Sequence, residues 1–497
     1  MPFDTDAFRD ALRSFPEISW EEYRAIPDDD VRLEIARRNK VISTDAYNRT
    51  MARIRGPRGL LPETFTLTFR KSPQPYLVAC GIRRVIQETL RSRYTHREID
   101  FARDFYVDQG AKGGNGAFDE GMWRAVVDRH DGRLPVTVRA VADGTVLLPG
   151  EPVLAVEGPG EYAAHLEPLL LRAFYETAVT TDAVALREAI GPGRLIEAGK
   201  RSAISEEDHV RALAALTVAG VRATSNDTAA LVLPELRSGG TTAHRFFASY
   251  DTELEAMEAA ISASGRITLL VDLIEPFAGI ERVVALKKKH RASGKAIFMR
   301  LDSGDLAAQA CHALGRLREE GFTDPALDRI SIADVSRRED LERIDAAVRA
   351  IGVDPRVFVD YVTGQMLVMQ DKTRNALSAA YKLTECDGRP TGKLAGGAGK
   401  AAIPGRLNVE VRGGERVIVL EEEPPAGRRL LGTVYESGRL LYEGSDAEAR
   451  AAAAERLAET FPWRLLPARR STRVEAAIRE VERRFLAQNP PIGQEKR

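Results

Sequence analysis

The sequence of 497 residues has only three cysteines, Cys80, Cys311 and Cys386, odd in number and far apart. That spacing excludes a disulfide framework and a cysteine zinc cluster, and it suits a reducing cytoplasm. No run of about 18 uncharged apolar residues occurs, so no membrane-spanning helix is expected. The opening Met1-Pro2-Phe3-Asp4 has no apolar signal core, and a secretory leader is not expected either. An excess of one charge is also missing: Lys+Arg 72 against Asp+Glu 73 leaves a formal net charge of -1. No overall field draws nucleic acid or an anionic membrane, and an anionic ligand needs a local site. Neither a GxxxxGK[ST] loop nor a GxGxxG turn after a strand is present.

What is present describes a globular protein, 44% hydrophobic and 29% charged, long enough for about three average domains or one large barrel and a companion. Residues 1–40 are rich in charge and never build a wide apolar stripe, which predicts an amphipathic extension. Thr64 to Phe69 alternates like a half-buried strand, Tyr76 to Leu90 reads as a helix, and two short strands are expected around Leu148-Pro149-Gly150-Glu151. Glu161 to Ala189 has the periodicity of one long helix, stopped by Gly191-Pro192-Gly193.

A different rhythm follows. Apolar runs at Thr268–Leu273, Ala296–Leu301, Ile330–Ala333 and Val357–Val359 recur at near-constant spacing with helical patterns between them, the mark of a parallel sheet, open or closed. Each run ends in or beside an aspartate: Asp272, Asp302, Asp334 and Asp360. Such sheets build their sites where strands end, so four carboxylates there favour a cation or polyhydroxyl ligand, although aspartate also caps helices. Beyond Tyr361 the pattern turns to β-like and glycine-rich segments, then to helices over Asp446–Glu459 and Thr472–Phe485.

The densest polar cluster is Ala223-Thr224-Ser225-Asn226 with Gly239-Gly240-Thr241-Thr242-Ala243-His244-Arg245. Short side chains expose backbone amides there, and one imidazole stands beside a glycine pair, as an anion or phosphoryl site requires. Arg300-Leu301-Asp302-Ser303-Gly304-Asp305 sits at a strand end and offers a planar guanidinium to a carboxylate or phosphate. Phe69-Arg70-Lys71-Ser72-Pro73 adds two cations after another strand. The residues alone thus indicate a barrel-like enzyme for an anionic substrate.

At these residues the chain resembles the nicotinate phosphoribosyltransferase family. The matching pieces keep family order: Thr44 to Met51, Phe69 to Pro73, Gly199-Lys200-Arg201, Thr224-Ser225-Asn226, Gly240 to His244, Leu270-Val271-Asp272, and Arg300 to Asp305. Tyr381-Lys382-Leu383, Lys393-Leu394 and Gly399-Lys400 continue the series. The resemblance implies an α/β protein, an irregular (β/α) barrel with an α+β domain built from N-terminal and C-terminal segments. Its expected boundaries are a charged extension at 1–40, the α+β domain at 41–160, the barrel at 161–375, and a returning C-terminal segment at 376–497 with terminal helices. It also implies a cytoplasmic homodimer that converts nicotinate and phosphoribosyl pyrophosphate into nicotinate mononucleotide and pyrophosphate, with ATP hydrolysis coupled to the transfer and Mg2+ near Asp272 or Asp302.

By the same resemblance His244 is phosphorylated by ATP, and Asp272 and Asp302 serve the ribose and metal side. Arg70, Lys71, Lys382, Lys393 and Lys400 serve the phosphates, and Arg300 and Thr241 are further substrate-binding candidates. Tyr47 comes from the neighbouring subunit to stack on the pyridine, Arg201 lies near the nicotinate carboxylate or the nucleotide phosphate, and Ser225 and Asn226 bind substrate. Absence of an added aspartate at Ser225-Asn226 favours an acid over an amide, since a carboxylate would repel nicotinate. Several positions depart from the family. Ala198 replaces an aromatic wall worth about 0.5–1.5 kcal/mol of stacking, Ser202 replaces a second arginine, and Arg245 replaces a serine. Ala223 replaces a glycine, and Asp360 to Gln365 stands where the family has a glycine-rich phosphate loop. These departures keep open a paralogue that uses nicotinamide or another pyridine or dispenses with ATP, and a catalytically weak ligand-binding member of the fold.

Overall fold

The computed structural model describes residues 4–190, 194–333, 335, 337–393, 401–460 and 468–488. The chain forms two units, Met1–Tyr175 with Thr373–Ser445 and Thr460–Arg497, and Glu176–Lys372 with Asp446–Glu459.

In the first unit an antiparallel seven-stranded sheet draws on both ends of the chain. Its order is Arg389–Pro390, Ala379–Cys386, Pro62–Phe69, Pro152–Pro159, Thr137–Ala140, Gly432–Glu436 and Arg439–Leu440. Leu67, Phe69, Val156 and Tyr381 are buried there. Residues 1–40 are more than an extension: the helices Thr5–Arg13, Trp20–Ala25 and Asp29–Ala36 belong to the packed unit. Trp20 lies edge-on to Phe101 and Phe105, and Lys40 Nζ meets the buried Glu98 at 2.6 Å. The helix expected from Tyr76 begins only at Ile82, because Leu77–Val78 pairs with Val146–Leu147 and Gly81 has φ +77°, which no helix propagates. The single helix expected over 161–189 is broken into Gly160–His165, Glu167–Leu170 and Phe174–Ile190. Pro168 lies in the first turn of the middle piece, where its missing N–H is tolerated. The stop expected at Gly191–Gly193 lies outside the described residues.

The second unit holds the expected parallel sheet. Its strands are β1 Arg194–Glu197, β2 Ala223–Thr224, β3 Arg237–Ser238, β4 Arg266–Leu270, β5 Ala296–Leu301, β6 Ile330–Ile332 and β7 Val359–Thr363. The hydrogen-bonded order is β3-β2-β1-β7-β6-β5-β4. Read as a ring, this is chain order, opened only between β3 and β4. The segment after β3 reaches across that gap: Thr242 N donates to Thr268 O at 3.1 Å, and Leu270 N donates to Thr242 Oγ1 at 3.0 Å. The sheet is therefore a curled half-barrel, closed at one mouth by residues 239–243. Helices such as Pro276–Lys289 and Leu306–Glu319 supply buried apolar residues between strands, among them Ile280, Val283, Ala310 and Leu314. The helix Asp446–Thr460, expected with the C-terminal segment, groups with this unit, where Arg450 Nε meets Glu235 at 2.5 Å.

The crown of four aspartates is not reproduced as read. Asp272 and Asp302 follow the ends of β4 and β5, whereas Asp334 lies outside the described residues. Asp360 is the second residue of β7, because Pro355–Phe358 forms a helical turn and the strand starts later than the apolar run suggested. There it accepts from Arg329 Nε at 2.9 Å and from the same guanidinium's NH2, in a buried pair.

Candidate active site

Two strand ends bring carboxylates together. A Cβ on Gly279 would lie 2.0 Å from Val271 O, so only glycine lets the helix Pro276–Lys289 seat directly under the Asp272 turn. Asp272 is thereby buried, its side chain 1% exposed. Ser303 donates to its Oδ2, while Oδ1 is buried without a hydrogen-bond partner among the described residues. His244 opens the short helix His244–Phe247 with its side chain half exposed, and its Nε2 lies 3.5 Å from Asp272 Oδ1. Ligand atoms of His244, Asp272 and Asp302 all lie within 4.8 Å of one another.

Arg300 links this group to the closing loop. Its NH2 meets Asp302 Oδ1 at 2.6 Å, and its NH1 donates to Thr241 Oγ1 at 2.9 Å. Ser303 and Asp305 divide the two roles open to them: Asp305 caps the helix Leu306–Glu319 through Ala308 N, and Ser303 serves Asp272.

Along the inner face of the half-barrel runs a trough of about 1060 Å³. Arg201, Ser225, Thr241 and Arg300 line it, and so does Ala198, where an aromatic was missing from the sequence. Asn226, expected at the substrate, stands behind this wall. It is fully buried, and its amide is wholly engaged: Oδ1 accepts from Lys200 Nζ at 3.2 Å and Ala229 N at 3.3 Å, and Nδ2 donates to Glu206 Oε1 at 2.9 Å and His209 Nδ1 at 2.8 Å. Lys200, then Asn226, hold the Glu206 carboxyl below the usual carboxylate range. His209 Nε2 donates to Glu197 Oε1 at 2.8 Å, and Glu197 also accepts from Thr224 Oγ1 at 2.6 Å and from Gly199 N. Sequence reading missed this buried Glu197–His209–Asn226 network. The signal was a glutamate closing an apolar strand just before Gly199-Lys200-Arg201.

In the 360–365 segment Asp360 pairs with Arg329, and Thr363 Oγ1 donates to Val335 O at 2.8 Å. A Cβ on Gly364 would lie 2.8 Å from Ala198 O and from Gly199 Cα, so this single glycine permits the contact between the ends of β7 and β1.

The remaining candidates lie in the first unit. Tyr47, on the helix Ala46–Arg55, donates to Glu167, and burial, then Glu167, push its phenol upward. Lys382 Nζ lies 3.6 Å from the same Glu167. Arg70 Nε donates to Ser378 O at 3.2 Å, and burial, then Arg374, hold its pKa below the ordinary arginine value. Arg70 and Lys382 line one cavity of about 530 Å³ together with Thr66, Thr68 and Arg470. Lys71 and Lys393 are exposed outside it, and Lys400 lies outside the described residues.

No protein-family model matches the sequence. A nicotinate phosphoribosyltransferase of Mycobacterium tuberculosis is 28% identical over 372 residues, covering 74% of each chain. The Bacillus subtilis nicotinate phosphoribosyltransferase is 26% identical over 378 residues, 74% of this chain and 72% of its own. This chain is a homologue of the nicotinate phosphoribosyltransferases. Among solved structures, human nicotinic acid phosphoribosyltransferase superposes with a TM-score of 0.66 at 22% identity, over 88% of this chain and all of the human one. A nicotinate-nucleotide pyrophosphorylase from Pyrococcus furiosus gives 0.62 at 17% identity, over 88% of this chain and 99% of its own. At those identities the likeness is one of fold, and it establishes the mixed α/β class with its curled parallel sheet. Homology to nicotinate phosphoribosyltransferases thus bears out the family resemblance read from the motifs. Among the described residues no helix is long and apolar enough to cross a membrane.

Proposed function

We propose that the protein is a nicotinate phosphoribosyltransferase, forming nicotinate mononucleotide and pyrophosphate from nicotinate and phosphoribosyl pyrophosphate with coupled ATP hydrolysis. The observation that carries this reading is the partnerless Asp272 Oδ1 beside His244 and Asp302 at a strand-end mouth, in a homologue of such enzymes. In the reaction the pyridine nitrogen's lone pair forms the bond to ribose C1. The bond from C1 to the pyrophosphate oxygen breaks, and pyrophosphate leaves with that electron pair. Positive charge grows on the sugar and negative charge on the leaving group. Asp272 and Asp302 shelter the sugar cation, while Arg70 and Lys382 suit the phosphates. Arg201 and Ser225 receive the pyridine carboxylate in a trough wall with no free acid beside them.

Asp272 Oδ1 and Asp302 are hard oxygen donors and fit Mg2+. Bound there, the ion would neutralise phosphate charge as it develops. In the coupled step His244 attacks the γ-phosphorus of ATP, an N–P bond forms, the γ-phosphorus–oxygen bond breaks and ADP departs; water later attacks the same phosphorus, the N–P bond breaks, and inorganic phosphate leaves the free imidazole. The proposal also takes the enzyme to be a cytoplasmic homodimer with Tyr47 supplied across the subunit boundary to stack on the pyridine.

The test is a side-by-side assay of nicotinate, nicotinamide and quinolinate with phosphoribosyl pyrophosphate, ATP and Mg2+. Nicotinate mononucleotide is expected to dominate, and His244→Ala is expected to lose the ATP stimulation. Binding of nicotinate with no mononucleotide from any pyridine would replace the enzyme reading with a ligand-binding one. A rate indifferent to ATP, with no phosphoryl group in the intact mass, removes the histidine step.

A further inference from the structure

The trough described above has a second end. Eight of its lining residues are arginine or lysine and one, Asp360, is acidic, in a chain whose charges otherwise balance. Lys200, Arg201 and Arg300 lie at or beyond the carboxyl ends of the strands. The others gather where strands begin: Arg194 opens β1, Arg237 opens β3 and Arg266 opens β4. Because every strand of this sheet is parallel, their beginnings share one end. From Arg266 to Leu270 a strand extends about 13 Å at 3.3 Å per residue, so this basic end stands well apart from Asp272 and His244.

Its charge is only partly compensated. The single carboxylate, Asp360, is already taken by Arg329, and Arg194 Nε lies 3.9 Å from it. Among the described residues Arg237 and Arg266 meet no carboxylate at ion-pair distance, and the Arg266 guanidinium lies over the Phe298 ring at 4.5 Å. That stacking fixes the plane of the guanidinium and leaves its N–H edge available to an acceptor. Burial, then the neighbouring Arg222, hold the pKa of Arg187 below the ordinary arginine value, as expected where cations face one another.

We propose that the strand-beginning end of the trough is a second anion site, centred on Arg194, Arg237 and Arg266, which binds a chain of two or more phosphates independently of the reacting groups. Several guanidinia sharing one carboxylate suit a ligand with several negative charges in a row. Planar N–H forks match phosphate oxygens, and a chain of phosphates offers such oxygens to several guanidinia at once.

The test is calorimetric titration of the full-length protein with inorganic tripolyphosphate and with orthophosphate, in the presence of saturating phosphoribosyl pyrophosphate. Tripolyphosphate is expected to bind with that substrate in place, at least tenfold tighter than orthophosphate. The double variant R237A/R266A should weaken it at least tenfold and leave the Michaelis constant for nicotinate within about twofold. The single variant R266K, which keeps the charge and loses the fork, should fall between. Three results would overturn the proposal: loss of tripolyphosphate binding when phosphoribosyl pyrophosphate saturates, orthophosphate binding as tightly, or R237A/R266A binding like the wild type. The titration reads binding and not turnover, so it stands whether or not nicotinate proves to be the substrate.

Discussion

His244 Nε2 faces Asp272 Oδ1 at 3.5 Å, and the second oxygen of that carboxylate is held by the Ser303 hydroxyl. The pairing has a direction. A carboxylate on the Nε2 side favours the tautomer with its proton there, so Nδ1 keeps the lone pair. Under the proposed phosphorylation of His244, Asp272 Oδ1 would steady the imidazole from its Nε2 side and leave Nδ1 to meet the phosphorus.

Asp272→Asn should separate activity from stability. Removing the charge from a position that stabilises developing charge is expected to lower kcat about 10²- to 10³-fold and to reduce ATP-dependent phosphate on His244. Folding should gain or hold, because a buried carboxylate with one partnerless oxygen is costly to keep ionised. Thermal unfolding without ligands should show an equal or higher Tm. A variant that unfolds earlier yet turns over normally would contradict both halves.

Arg300 predicts a different signature. Its guanidinium spans Asp302 and Thr241, which a lysine ammonium cannot do in one geometry. Arg300→Lys should raise the Michaelis constants about tenfold, equivalent to about 1.4 kcal/mol, with a smaller change in kcat. Thr241→Ala should show a weaker version. Steady-state kinetics with each substrate varied in turn reads the split, and unchanged Michaelis constants would reject it.

Neighbours in sequence, Ser225 and Asn226 should behave oppositely. Asn226 ties four groups together and caps the helix Asp227–Val232, so Asn226→Ala should lower stability by about 2 kcal/mol. Ser225 is exposed in the trough wall, and Ser225→Ala should stay within about 0.5 kcal/mol while weakening nicotinate. Urea midpoints and nicotinate titrations on both variants decide the matter; equal loss of stability in the two would show that Asn226 carries no special load.

How far the sequence discloses these features depends on length and chemistry. β4, β5 and β6 were legible because apolar runs separated by amphipathic helices cannot be confused with much else. β1, β2 and β3 were not, since they are 4, 2 and 2 residues long and two open on arginine, too short for any period to register. β7 was displaced because Val357 and Phe358 look like strand, yet Asp354 and Pro355 start a helical turn there. His244, Asp272 and Asp302 were found through motif order, and their meeting could not be read from it: that depends on the 239–243 crossing and on Gly279. Arginines at strand beginnings escaped notice because each alone looks like solvated charge; only the parallel sheet gathers them.

In the first unit, stability should carry an acid limb set by His165. This imidazole is buried, donates to Lys40 O at 2.9 Å and packs edge-on against Trp123 at 4.7 Å; burial pushes its pKa from 6.5 down to about 4. Between those values the unfolded chain binds the proton and the folded one does not. Stability therefore falls as pH drops from 6.5 towards 4, by up to about 3 kcal/mol, and is fully present above 6.5. Glu161, four residues earlier, acts in the opposite sense: burial raises its carboxyl from 4.5 to about 7, so its contribution is lost as pH rises through that window. The two overlap, and the difference between wild type and His165→Gln isolates the histidine, because glutamine can still donate to Lys40 O but does not titrate. Urea unfolding of both proteins from pH 4 to 7.5 should show His165→Gln gaining stability relative to the wild type as pH falls below 6.5, with the Glu161 slope left uncancelled. Parallel profiles would mean that His165 takes its proton in the folded state as readily as in the unfolded one.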